Sequence, residues 1–225
     1  MRQPGNDNAG EMAPLFFVRS PTPRLRTVVE QQQAALTSAD FADMMSQIRS
    51  IFEKFTAALE TLEPGIQRAL GLHQMMEREM KAVSSVAVTC AKGCYGCCHY
   101  EVEVTTDEAQ VLRQLVLEGF SIDRGRLEVQ AARERKSPEW LKFWSEANRC
   151  VFLDATGSCG IYEHRPSICR IHLVTTPAEA CTTAGAQVAP VQNLLAEILL
   201  SAALSLEGVS SGSLSKMLQQ ALAAG

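Results

Sequence analysis

From Phe41 onward apolar residues recur at three- and four-residue spacing: Phe41, Met44, Met45, Ile48, Ile51, Phe52, Phe55, Leu59 and Leu62. That spacing lines one face of an amphipathic helix, and Pro64-Gly65 ends it. A second helical stretch runs from Ile66 to about Val83, with Leu70, Met76 and Met80 among its apolar positions. The two stretches predict a helical hairpin over 37–86. The methionines read as adaptable core filler rather than as ligands. Glu101-Val102-Glu103-Val104 alternates with period two and predicts a short strand or extended segment. Thr105 and Glu108 make a capping box for a helix that Gly119 stops. Ser137-Pro138 predicts the start of another helix, with Trp140, Leu141 and Trp144 to bury. Two apolar helices, about 190–207 and 212–223, complete the pattern and place C-terminal helices over 186–225.

Residues 1–36 are rich in Pro, Gln, Asn and Arg and hold no sustained period, so a flexible leader is expected there. No internal repeat is evident. The chain of 225 residues is long enough to bury a core without covalent staples. Its net charge of -4 arises from 21 basic and 25 acidic residues with no basic block, so no nucleic-acid partner is expected. The longest apolar run, Leu194 to Leu206, carries Glu197 and is too short to cross a bilayer, so no membrane partner is expected either. The N-terminal stretch lacks the apolar centre of a secretory signal, which predicts a cytoplasmic location where thiols stay reduced.

The chemistry lies in the cysteines. "CAKGCYGCCHY" places Cys90, Cys94, Cys97 and Cys98 within nine residues, and Cys150, Cys159, Cys169 and Cys181 form a sparser second group. Three readings compete. A disulfide framework suits an even count but not a reducing compartment or the adjacent pair Cys97-Cys98. A radical S-adenosylmethionine site shares the C-x3-C-x2-C spacing. However, the aromatic Tyr95 is not directly before the last cysteine, and no strand–helix alternation follows. A thiolate metal site accounts for most: turns at Gly93 and Gly96 curl sulfurs toward one point. Four thiolates suffice for zinc or an iron–sulfur cluster, and eight exceed the needs of one ion. Lys92, Arg149, Arg165 and Arg170 lie close in sequence to offset thiolate charge.

"CYGCCHYEVEVTTDEAQVL", followed by "CVFLDATGSCGIYEHRPSICR", resembles the YkgJ-like cysteine-cluster family, a zinc- or iron-chelating domain named for its CxxCxxCC motif. The match covers about 90–173. Cys94, Cys97 and Cys98 fit its first motif, and Cys150, Cys159 and Cys169 its second. Three residues rather than two separate Cys90 from Cys94, so Cys90 departs from the pattern. Cys181 lies beyond it and joins the expected metal ligands on spacing alone. The resemblance implies a metal, zinc or iron, and no agreed reaction. A similar pattern in flagellin lysine N-methylases suggests an S-adenosylmethionine enzyme as the alternative. No glycine-rich strand–turn–helix for that cofactor is found.

The remaining candidates have plainer readings. His99, His164 and His172 flank cysteines and are expected as partly exposed loop residues. His73 is expected on a helix surface. Arg165-Pro166 reads equally as a fixed turn aiming its guanidinium at the thiolates or as a surface turn. Asp154 and Glu163 are expected as a turn former and a solvated charge. The sequence thus predicts a mainly α-helical protein, irregular in its cysteine-cluster domain (87–185), with at most one short strand pair. Two cysteine-rich segments should converge there on zinc, iron or a 4Fe-4S cluster. An accessory or interaction module is expected, its terminal helices available to a protein partner. An iron–sulfur redox enzyme, a methyl-transfer enzyme and a thiol redox sensor are the alternatives.

Overall fold

A computed structural model describes residues 14–82 and 87–224. Among them lie eight α-helices and one two-stranded antiparallel sheet. The predicted hairpin is present as α2 (Ser38–Glu60) and α3 (Ile66–Ala82). Ahead of it, α1 (Pro23–Ala35) occupies part of the stretch expected as a flexible leader. Thr22 caps that helix by accepting from the Leu25 amide, Pro23 stands at its first position, and Leu25 and Val29 are fully buried. Residues 1–13 of the expected leader lie outside the described residues, as does Val83.

Two apolar cores organise the chain. The first joins α1, α2 and α3 to α7 (Leu194–Ser205), through Leu25, Phe52, Leu59, Met76, Ile198 and Leu199. The second is built on α4 (Thr106–Leu117), α5 (Arg124–Ala131) and α8 (Leu214–Ala223), around Leu112, Phe152 and Leu218. Strand β1 (Glu103–Thr105) pairs with β2 (Ser211–Ser213), Val104 opposite Gly212. This pair sets the starts of α4 and α8 side by side.

The capping box is as the sequence predicts: Thr105 accepts from the Glu108 amide and Glu108 reaches back to Thr105. Glu108 goes further. Its Oε1 accepts from the Ser167 amide at 2.7 Å and bonds His73 Nε2 at 3.2 Å. These two bonds tie α3 and α4 to α6 (Ser167–Ile171), the short helix that carries Cys169. His73 is accordingly buried and not on a helix surface, because this carboxylate gives its ring a partner inside. Beside it, Arg68 of α3 makes a two-pronged contact with Asp107 of α4, at 2.5 and 3.1 Å.

The helix expected from Ser137 does not form; that segment is a run of turns. Asn148 draws the carbonyls of Glu139, Trp140 and Lys142 onto one side-chain amide, and Trp144 takes a left-handed backbone at φ 44°. Trp140 is buried, whereas Leu141, expected inside, is 73% exposed. Helix α5, which the sequence reading omitted, lies just before it, capped by Asp123 on the Arg126 amide.

Candidate metal centre

The first cysteine segment is a chain of tight turns. The Cys94 amide donates to Ala91 O, and Cys97 and Cys98 sit in a 3-10 turn, Gly96–His99, where the Cys98 amide donates to Tyr95 O. Gly93 makes its turn at φ +95°, a conformation that side-chain-bearing residues rarely adopt. Gly96 serves another purpose: a Cβ there would stand 2.6 Å from Cys181 Cβ, so only glycine lets the 178–182 turn come this close.

The two segments are stitched together directly. The Cys150 amide donates to Cys98 O at 2.8 Å. Cys150 and Cys159 pack against the second core, and Leu153 bridges to Cys159. Cys169 comes from α6, which rests on the first core through Ile171. Cys94, Cys97, Cys98, Cys150, Cys159, Cys169 and Cys181 consequently line one cavity of ≈ 370 Å³ between the cores. Cys90 does not line it and lies beside it, close enough for Cys94 and Cys97 to act on its thiol electrostatically. All eight cysteines are free thiols and half-buried, so no disulfide framework is present.

The thiols ring the space more than they close on a point. Among the described residues, no three Cys, His, Asp or Glu side chains stand together in an arrangement that could hold an ion. The donor set nonetheless suits a soft or borderline metal, since seven sulfurs face one cavity and outnumber the harder donors at its walls, Tyr100, Glu101, Tyr162 and His172.

Electrostatics differ from thiol to thiol. A hydrogen bond from Cys98 lowers the Cys97 thiol to about 7 against the opposing effect of burial, with its own backbone amide and Arg165 assisting. Cys98, the donor of that bond, is pushed up, first by holding the shared proton and then by burial. Burial raises Cys150 to about 12 and Cys169 well above its ordinary value. Burial also raises Cys90, Cys159 and Cys181.

Of the four nearby cations, Arg165 is the one that lines the cavity. It is held by a bond to Tyr162 O and lies over the Tyr162 ring at 3.8 Å. Lys92 approaches the same ring at 5.8 Å. Arg170 instead turns to Glu77 at 2.6 Å and to the Arg165 and Glu163 carbonyls, and Arg149 fastens the Asp154 carbonyl. Asp154 forms the expected turn by accepting from Thr156 and Ser158, and Glu163 is exposed.

His164 and His172 are exposed, as the sequence reading expects, and His172 lines the cavity. His99 is not: it is buried against Trp144, ring centroids 4.7 Å apart, with Tyr95 alongside. The sequence reading missed the apolar walls of the cavity, Val102, Ile161, Ile168 and Leu214, which come from four separate segments.

Residues 89–186 match a family model, CxxCxxCC, described as "Putative zinc- or iron-chelating domain". The match supports the resemblance of this segment to the CxxCxxCC family. The match takes in all eight cysteines, Cys90 and Cys181 included. That description supports metal binding, as zinc or iron. Neither the curated proteins nor the solved structures yield a match. Among the described residues, no helix is long and apolar enough to cross a membrane.

Proposed function

We propose that the protein is an accessory or interaction module in which Cys94, Cys97, Cys98, Cys150, Cys159 and Cys169 hold zinc or iron, with Cys181 within reach as a further ligand. One observation carries the reading: seven thiols from four turns and a short helix line a single cavity between the two cores. Bound there, the metal would ionise its ligating thiols and cross-link segments that otherwise share few regular backbone bonds. The chain's own residues do the rest. Gly96 admits the Cys181 turn, the Cys150–Cys98 backbone bond sets the spacing of the two segments, and Glu108 anchors the helix bearing Cys169. Arg165 places positive charge at the rim, where a multi-thiolate centre carries negative charge.

A second reading draws on the size of the cavity. A mononuclear thiolate site leaves no room inside its ligand shell, whereas ≈ 370 Å³ with apolar walls suits an iron–sulfur cluster with space for a small reactant. Metal analysis with an absorption spectrum, on protein purified without oxygen, separates the two. Colourless protein with tightly held zinc supports the closed module. Iron with inorganic sulfide and a brown chromophore supports the cluster. Protein that takes up neither metal overturns both.

A further inference from the structure

A second cavity of ≈ 500 Å³ lies on the other side of α6, and Ile168 and His172 line both. Its floor is α7, and its cover is the segment 19–22. That segment is strapped to α7 by Arg19 on the Leu206 carbonyl (2.9 Å), the Ser20 amide on Ser205 Oγ and the Thr22 amide on Ser201 Oγ (both 3.0 Å). Leu200, Leu204, Ile171 and Val104 supply apolar wall.

The charges at this cavity can be taken one by one. Glu103 is spent: Ser211 donates to one oxygen at 2.6 Å and Arg135 pairs with the other at 2.9 Å. Glu108 has both oxygens occupied by Ser167, His73 and Thr105. Glu197 is different. It is 5% exposed, and its Oε2 accepts from Thr22 Oγ1 at 2.7 Å. Its Oε1 accepts no hydrogen bond among the described residues, and the nearest cation, Arg24 Nη1, stands 3.8 Å away. Arg24 spends that nitrogen on the Val191 carbonyl instead.

Burial of the residue pushes the Glu197 carboxyl up, while the Thr22 bond and Arg24 act against that rise. Three carboxylates against two guanidiniums make the lining a poor host for an anion. Among the carboxylates of the cavity the unspent acceptor is Glu197 Oε1, beside an aliphatic wall, and the ring of His172 stands at the same lining.

We infer that this cavity is a binding site for an organic ammonium on an aliphatic body, its N–H groups donating to Glu197 Oε1 and its chain lying along Leu200 and Leu204. The site stands apart from the metal reading, because none of its polar contacts comes from a cysteine.

The test uses the full-length protein and three probes of one length, n-butylammonium, 1-butanol and butyrate, with binding followed by ligand-observed NMR titration. Butylammonium is expected to bind more tightly than the alcohol, and butyrate to bind least. Glu197→Gln is expected to weaken butylammonium roughly tenfold or more, the weight of a charge-assisted bond, and to leave 1-butanol unchanged. Arg24→Met removes the competing cation and is expected to tighten butylammonium. Butyrate binding as well as butylammonium, or no butylammonium binding to the wild type, overturns the proposal. So does an unchanged affinity in Glu197→Gln. Should Glu197→Gln fail to fold, the wild-type probe order and Arg24→Met still decide.

Discussion

Glu108→Gln tests whether the capping box truly anchors the metal-bearing helix. The side chain is 2% exposed. Burial alone would raise its pKa, but hydrogen bonds from His73, Ser167 and Thr105 overcome that and hold it at about 2, against an ordinary 4.5. At roughly 1.4 kcal/mol per tenfold change in acidity, that corresponds to about 3 kcal/mol of stability for the ionised form. Glutamine keeps the shape and one acceptor, yet turns an N–H toward the Thr105 amide or the Ser167 amide, leaving a buried donor unmet. Denaturant unfolding at pH 7 should therefore place the variant about 3 kcal/mol below wild type. The sign with pH follows from the depressed folded-state value. The stabilisation is complete above the unfolded value of 4.5 and is lost as pH falls toward about 2. The deficit should shrink across that window. A variant as stable as wild type at pH 7, or a deficit constant down to about pH 2, would refute the reasoning.

Other perturbations address the cores and the centre. Arg68→Met strips the guanidinium from buried Asp107 and should cost about 3 kcal/mol in denaturant unfolding, partly recovered by adding Asp107→Asn. Phe152→Ala empties a site that is 1% exposed in the second core and should cost about 3–5 kcal/mol, read in the same assay. Gly96→Ala pushes a methyl against Cys181 and should speed metal loss to a competing chelator; unchanged release would show that the 178–182 turn plays no part in retention. Stripping the metal should accelerate amide exchange within 90–100 and 150–181 while α2 and α7 keep their protection.

Much of this was legible from spacing. The α2 and α3 periodicity, the Thr105–Glu108 box and the C-terminal helices are written locally, in i to i+4 relations. Helix α1 was hidden because only Leu25 and Val29 are fully buried among Gln and Arg, although Thr22-Pro23 carried a cap signal. Helix α5 buries Leu127, Gln130 and Ala131, too short a stripe to stand out. The segment after Ser137 read as helix because Asn148's claim on three carbonyls lies up to nine residues away. His73 shares a helix face with Ala69 and Met76, a clue to its burial, but its partner is 35 residues on. The cysteine motifs announced a metal. The Cys150–Cys98 bond that unites them, and the cavity behind α6, depend on tertiary packing that no local pattern encodes.

The most direct measurement is X-ray absorption at the edge of whichever metal the purified protein carries. The account predicts a first shell dominated by sulfur at about 2.3 Å, the length of a metal–thiolate bond. A shell of oxygen and nitrogen, with sulfur absent, would contradict it.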